Sequence, residues 1–176
     1  MIGRLAVVSL IVVAFVCAQT REDTKPRPRS EGDSTFVAVH SFEASRDASA
    51  DVQRAIVEAR KTGRRILLDI GGDWCPWCHS LDQLFQQHPE LVEVRDQNFV
   101  TVAIYYGPDN KNEQLLSQYS KPLGIPHFFV LNTDGTLVHS QHVAELREDG
   151  NYSPEKIRNF LTTWSKASTE PPTPAR

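Results

Sequence analysis

The sequence predicts an α/β fold, a mixed central β-sheet flanked by helices on both faces. Three observations carry this. Short apolar runs of strand type, Arg65 to Ile70, Phe99 to Tyr105 and His127 to Leu131, alternate with stretches of helical periodicity. Strands separated by helices call for parallel pairing, because the chain must cross back to the same end of the sheet. Asn132-Thr133-Asp134-Gly135 is a hairpin turn signal, and it adds an antiparallel strand, Thr136 to Ser140.

Taken in order, a helical stretch starts at Asp51, sets Val52, Ala55, Ile56 and Ala59 on one face, and ends near Gly63. Ile66-Leu67-Leu68-Asp69-Ile70 has the pattern of a short buried strand. After the turn Gly71-Gly72-Asp73, a helix is expected from about Cys75 to Gln87, with Leu81, Leu84 and Phe85 inward. His88-Pro89 interrupts it, and Pro89 opens a short helix through Val94. The strand Phe99 to Tyr105 follows, then a loop at Gly107-Pro108-Asp109-Asn110 and a helix from Glu113 to Tyr119. Beyond the hairpin, Ser153-Pro154-Glu155 reads as an N-cap with Pro at the first helical position. That last helix runs to about Lys166 and buries Ile157, Phe160, Leu161 and Trp164.

The flanks read differently. Met1 to Arg4 carry one positive charge, Leu5 to Val16 are apolar apart from Ser9, and Val16-Cys17-Ala18 forms a cleavage pattern. Residues 1–18 are therefore expected to be a signal peptide, cut after Ala18. An uncleaved anchor is the alternative, but the run is short against the roughly 20 apolar residues that a span needs. A lipoprotein signal ranks third, since Val16 is large for the position before Cys17. Residues 19–35 form a polar lead-in around Lys25-Pro26-Arg27-Pro28-Arg29, and residues 167–176 a proline-rich tail, leaving 36–166 for the folded domain. The mature chain is thus expected to be exported, periplasmic or secreted, without stable membrane insertion. The net charge of −3 is dispersed, which argues against a nucleic-acid partner.

Cleavage leaves two cysteines, Cys75 and Cys78, in an oxidising setting. A bridge across so small a loop constrains little of the unfolded chain, so redox chemistry or metal binding explains the pair better than stapling. Cys75 at a helix N-terminus faces unpaired N–H groups and the positive end of the dipole. Both favour thiolate over thiol, which makes Cys75 the expected nucleophile and Cys78, one turn on, the resolving thiol. Trp74 and Trp77 offer flat apolar surface to a substrate chain. Asp69, six residues before Cys75, is either a desolvated carboxyl able to take the proton of Cys78 or a solvent-facing residue near the sheet edge.

The segment Leu68-Asp69-Ile70-Gly71-Gly72-Asp73-Trp74-Cys75-Pro76-Trp77-Cys78 resembles the thioredoxin family, in which a strand bearing Asp leads to Trp-Cys-x-x-Cys at a helix start. The resemblance covers most of residues 50 to 166. It implies a thioredoxin-like fold and catalytic roles for Cys75, Cys78 and Asp69. It also implies that Pro126, in Gly124-Ile125-Pro126, is cis and faces the cysteines, and that Ile125 presents backbone groups to a bound peptide. The stretch from His88 to Val100 is similar to a subgroup with an added short helix. The dipeptide Pro76-Trp77 and His79 depart from thioredoxin itself, so the direction of electron flow is not inherited. Disulfide-containing protein substrates and a redox partner that resets the pair are implied, with no organic cofactor and no metal.

Two rivals come from other classes. Cys75-Pro76-Trp77-Cys78-His79 also fits c-type haem attachment, although Met1 is the only methionine and no second axial Met remains after cleavage. Cys75, Cys78 and His79, with His127 nearby, could hold a metal, yet a closed zinc site wants four ligands and no second cysteine pair exists. His127 reads instead as a residue that tunes the redox site, the remaining histidines as surface or structural, and Arg64-Arg65 and Glu145 to Asp149 as solvated faces. The thiol reading predicts that the purified protein has no Soret band, which the haem reading requires.

Overall fold

The structure is a computed structural model and describes residues 36–165. The expected signal peptide (1–18), lead-in (19–35) and tail (167–176) lie outside the described residues, whereas the last helix, expected to run to about Lys166, ends at Thr163 with Trp164 as its C-cap. The elements in chain order are α1 (Ala48–Thr62), β1 (Arg65–Gly71), α2 (Pro76–Gln87), α3 (Pro89–Asn98), β2 (Phe99–Tyr105), α4 (Glu113–Leu116), β3 (His127–Leu131), β4 (Leu137–His142), β5 (Arg147–Glu148), β6 (Asn151–Tyr152) and α5 (Pro154–Thr163). A 3₁₀ turn, Val143–Leu146, joins β4 to β5.

Four strands form a mixed sheet in the order β2-β1-β3-β4. β1 pairs parallel with β2 and antiparallel with β3, and β3 pairs antiparallel with β4. β1 is therefore central, and its residues alternate between two apolar layers. Ile66, Leu68 and Ile70 face α1 and α4, joining Val52, Ala55, Ala59, Val102 and Phe129. Leu67 faces the other layer, with Leu81, Leu91, Phe128, Ile157 and Leu161 from α2, α3, β3 and α5. Helices cover both faces, as the alternation of elements predicts.

Local chemistry sets the helix ends. Asp47 caps α1 by accepting the Ala50 N–H at 2.9 Å, so the helix starts three residues before the expected Asp51. Buried Asp51 is instead clasped by Arg46 and Arg54. Ser153 caps α5, with Pro154 at its first position. α3 runs past the expected Val94 to Asn98, and α4 stops at Leu116 rather than Tyr119.

Two expectations about charge are corrected. Arg65 is not part of a solvated face: it is buried in central β1, and its guanidinium donates to the Trp164 carbonyl at 3.1 Å. The stretch from Glu145 to Asp149 is not simply a charged surface either. It enters a β5–β6 hairpin whose turn residues, Asp149 (φ 49°) and Gly150 (φ 83°), both take positive φ, as a two-residue type I′ turn requires. Val39 adds a single parallel bridge to Val102 at the outer edge of β2.

Candidate active site

The site forms where β1 ends and α2 begins. Cys75 is the N-cap of α2, followed by Pro76 at the first helical position. Its sulfur accepts the Cys78 N–H at 3.1 Å, and its carbonyl accepts the N–H groups of Cys78 and His79. The sulfur and the carbonyl of Cys75 thus share one of the first-turn backbone donors of the helix. Cys78 lies within the first turn, and the two residues are unbridged and equally buried, each 2% exposed. Cys78 packs against the end of β1. A methyl group on Gly71 would meet the Cys78 sulfur at 3.0 Å and the Phe42 ring at 2.5 Å, so this approach needs glycine. Burial, and then the hydrogen bond that its thiol gives to the Cys75 sulfur, push Cys78 well above the ordinary thiol range.

Asp69 is not at a sheet edge. It sits in central β1 opposite Ala103 and Phe128, with Oδ1 inaccessible to solvent and without a hydrogen-bond partner among the described residues. Burial raises its carboxyl to about 7, the nearby Asp82 carboxylate adds to the rise, and Arg95 opposes it. Asp69, Asp82, Arg95, Thr101 and Phe85 share the wall of an open cavity of about 320 Å³. Asp82 is itself raised, mainly by burial. Sequence reasoning missed Asp82, although its spacing of four from Cys78 puts both on one helical face.

Trp74 and Trp77 flank the cysteines and stay 50% and 41% exposed. Trp74 is anchored by its indole N–H, which donates to the Tyr106 carbonyl at 3.1 Å. Trp77 meets Tyr152 of β6 edge-on, with ring centroids 6.1 Å apart, and carries the Arg147 guanidinium 4.2 Å from its centroid. Tyr152 is buried, which raises its phenol; the neighbouring charges of Cys78, Cys75 and Asp69 add to the rise and Arg147 opposes it. The sequence reading missed both residues. The signal was the Asp149-Gly150 turn between two short strands.

The Ile125–Pro126 peptide bond is cis, as the family resemblance implies. Ile70 pairs with His127, so the same register continued one step sets Pro126 opposite Gly71, beneath Cys78. Ile125 packs against the apolar layer that contains both cysteines. His127 is fully buried, with Nε2 2.8 Å from the Ser140 hydroxyl, and burial lowers it to about 4. Its ring packs on Phe129 and His142, which makes it part of the sheet interior rather than of the cysteine rim. His79, common to the haem and metal rivals, turns its Nε2 to the Asp73 carbonyl at 2.7 Å. Among the described residues, no group of three or more His, Cys, Asp or Glu side chains is placed to hold a metal ion.

Comparison with known proteins agrees with this geometry. A family model described as thioredoxin-like matches residues 47–133. The thiol:disulfide interchange protein DsbD of Pseudomonas fluorescens is 28% identical over 109 residues, 61% of this chain and 18% of its own. The thiol:disulfide interchange protein DsbE of Pseudomonas aeruginosa is 35% identical over 60 residues, 34% of this chain and 30% of its own. The matches thus span under a third of these relatives' length. A crystal structure of a disulphide isomerase from Xylella fastidiosa superposes with a TM-score of 0.62 at 26% identity, covering 72% of this chain and 98% of that one. The chain has a thioredoxin-like fold, and over residues 47–133 its sequence matches the thioredoxin-like family model.

Proposed function

We propose that the protein is an exported thiol–disulfide oxidoreductase that exchanges disulfides with protein clients through Cys75 and Cys78. The observation that carries this is the contact at the start of α2, where the Cys75 sulfur accepts the Cys78 N–H at 3.1 Å. A thiolate at Cys75 gains a charge-assisted hydrogen bond there that a thiol lacks. The interchange named for the DsbD and DsbE relatives supports the same reading.

In the proposed reaction the Cys75 thiolate attacks one sulfur of a client disulfide. An S–S bond forms between them, the client S–S bond breaks, and the departing client thiolate takes up a proton. Cys78 then gives its proton to Asp69 and attacks the Cys75 sulfur, releasing the second client sulfur as a thiolate, which takes up a proton from solvent. Two electrons pass from the pair to the client, and the pair is left bridged. The reverse sequence oxidises a client, and a redox partner resets the pair. The raised thiol of Cys78 needs a base, and a carboxyl held at about 7 is matched to accept its proton near neutral pH. The half-exposed rings of Trp74 and Trp77 receive the client chain, alongside backbone groups of Ile125 next to Pro126. Export rests on the leader pattern of residues 1–18; among the described residues no helix is long and apolar enough to cross a membrane.

Cys75→Ser is expected to abolish insulin reduction, and Cys78→Ser to accumulate client mixed disulfides visible on non-reducing gels. Full activity in Cys75→Ser would refute the assignment. Asp69→Asn is expected to slow resolution of the mixed disulfide by roughly 10²-fold. In the wild type that step speeds up as pH rises through about 7, where Asp69 ionises, and the variant loses this inflection in stopped-flow tryptophan fluorescence. Stability moves the other way. The folded-state value of Asp69 lies above its unfolded value of 3.8, so its contribution is fully present below pH 3.8 and lost as pH rises through about 7. Urea unfolding of the reduced protein should find Asp69→Asn more stable than wild type at pH 8, by about 2–4 kcal/mol, with the gap closing towards pH 4.

A further inference from the structure

We propose that Arg147 and Trp77 form a recognition platform for an acidic residue next to the client cysteine, an inference that rests on the exchange reaction above. The β5–β6 hairpin supplying Arg147 and Tyr152 lies beyond residues 47–133, the part matched by the family model. It crosses to the start of α2 and holds Trp77 from two sides, Tyr152 at the ring edge and the Arg147 guanidinium on the ring face. The hairpin is itself fixed to α5: Lys156 donates to the Arg147 carbonyl at 2.8 Å, and the Ser153 N–H donates to the Leu146 carbonyl at 3.0 Å.

The guanidinium is only partly used. Its Nε donates to the Ala144 carbonyl at 3.2 Å, while its two terminal nitrogens have no hydrogen-bond partner among the described residues. No carboxylate of the described residues lies within ion-pair distance of it. Glu145 accepts from Gln141 at 2.8 Å, and Glu148 faces Lys156 at 4.0 Å. A guanidinium stacked on an indole, with a free end-on fork, has the geometry for bidentate recognition of a carboxylate. Its place matters as much. Trp77 lies between Cys75 and Cys78 in the chain, so a group on the platform comes from residues adjoining the client cysteine. The other side of the pair has the opposite charge: Glu43, Asp73 and Asp109 line the depression beside Trp74. The rim is thus polarised, cationic at Trp77 and anionic at Trp74, and it orients a client of matching charge.

The test uses the reduced full chain and two peptides identical except for Asp or Lys on both sides of a single cysteine, each supplied as its 2-pyridyl disulfide. Cys75 attacks the peptide sulfur and expels 2-thiopyridone; Cys78 then displaces the peptide thiol and leaves the pair bridged. Each rate constant is divided by that of the same peptide with dithiothreitol, which removes intrinsic reactivity. The wild type is expected to favour the Asp peptide about fivefold at low salt, a ratio that shrinks towards one in about 1 M salt. Arg147→Gln should bring the ratio close to one, and Arg147→Lys, which keeps charge without the fork, should leave an intermediate ratio. A wild-type ratio of one or below, or an unchanged ratio in Arg147→Gln, overturns the proposal. If Arg147→Gln fails to fold, the wild-type ratio and its salt dependence decide. Release from neither peptide would instead sink the exchange reaction itself.

Discussion

One hydrogen bond organises the site, the Cys78 N–H given to the Cys75 sulfur where α2 begins. A helix start leaves backbone donors without intrahelical partners, and something must receive them. Here the receivers are the carbonyl of Cys75 and the sulfur that the proposed reaction uses, so capping and chemistry fall on one residue. The rest of the junction serves this placement. Gly71 lets the Cys78 sulfur rest on the end of β1, and Pro76 occupies the first helical position, where a missing N–H costs nothing. The Trp74 anchor to Tyr106 fixes the loop that enters the helix.

Beneath the pair lies the second constraint. A carboxyl in the central strand of a sheet is costly to ionise, and Asp69 has one oxygen shut off from solvent and without a partner among the described residues. The fold keeps it beside a cavity shared with Asp82 and Arg95, so the carboxyl stands between protonated and ionised near neutral pH. A stable core residue would be neutral and apolar at this position. The strain of holding a titrating group there is the opposite of what packing alone selects, and sites of this kind are where function is expected to override local rules.

Much of this could be read from residue order. β2 and β3 fall where the apolar runs predicted them, because both are buried on both faces and their signal is a continuous block. The cysteine junction was legible because Asp69 and Cys-x-x-Cys lie close in sequence, and Gly124-Ile125-Pro126 before an apolar strand is a separate landmark further along the chain. Ends without apolar content were not. The last turn of α3, Arg95-Asp96-Gln97-Asn98, is polar, and nothing in it announces a helix. β4 starts one residue later and ends two residues later than Thr136–Ser140, because this edge strand, with His139, Ser140 and Gln141, buries too little to mark its ends. Arg65 read as surface because a single arginine does not reveal that its strand is central. Arg147 and Tyr152 escaped for a related reason: they reach Trp77 only through the tertiary placement of a six-residue hairpin, and no local spacing encodes that meeting.

The central claim is that Cys75 and Cys78 form a reversible two-electron couple held at the start of α2. The most direct measurement is the redox equilibrium of the protein against a graded series of reduced and oxidised glutathione, read by thiol counting and by Trp74 and Trp77 fluorescence. The account predicts one transition fitting a two-electron process, with thioredoxin-like and DsbA-like proteins bracketing the midpoint between about −270 and −120 mV. It predicts that the transition vanishes when either cysteine is replaced by serine. A pair that stays reduced, or stays bridged, across the whole series would contradict it.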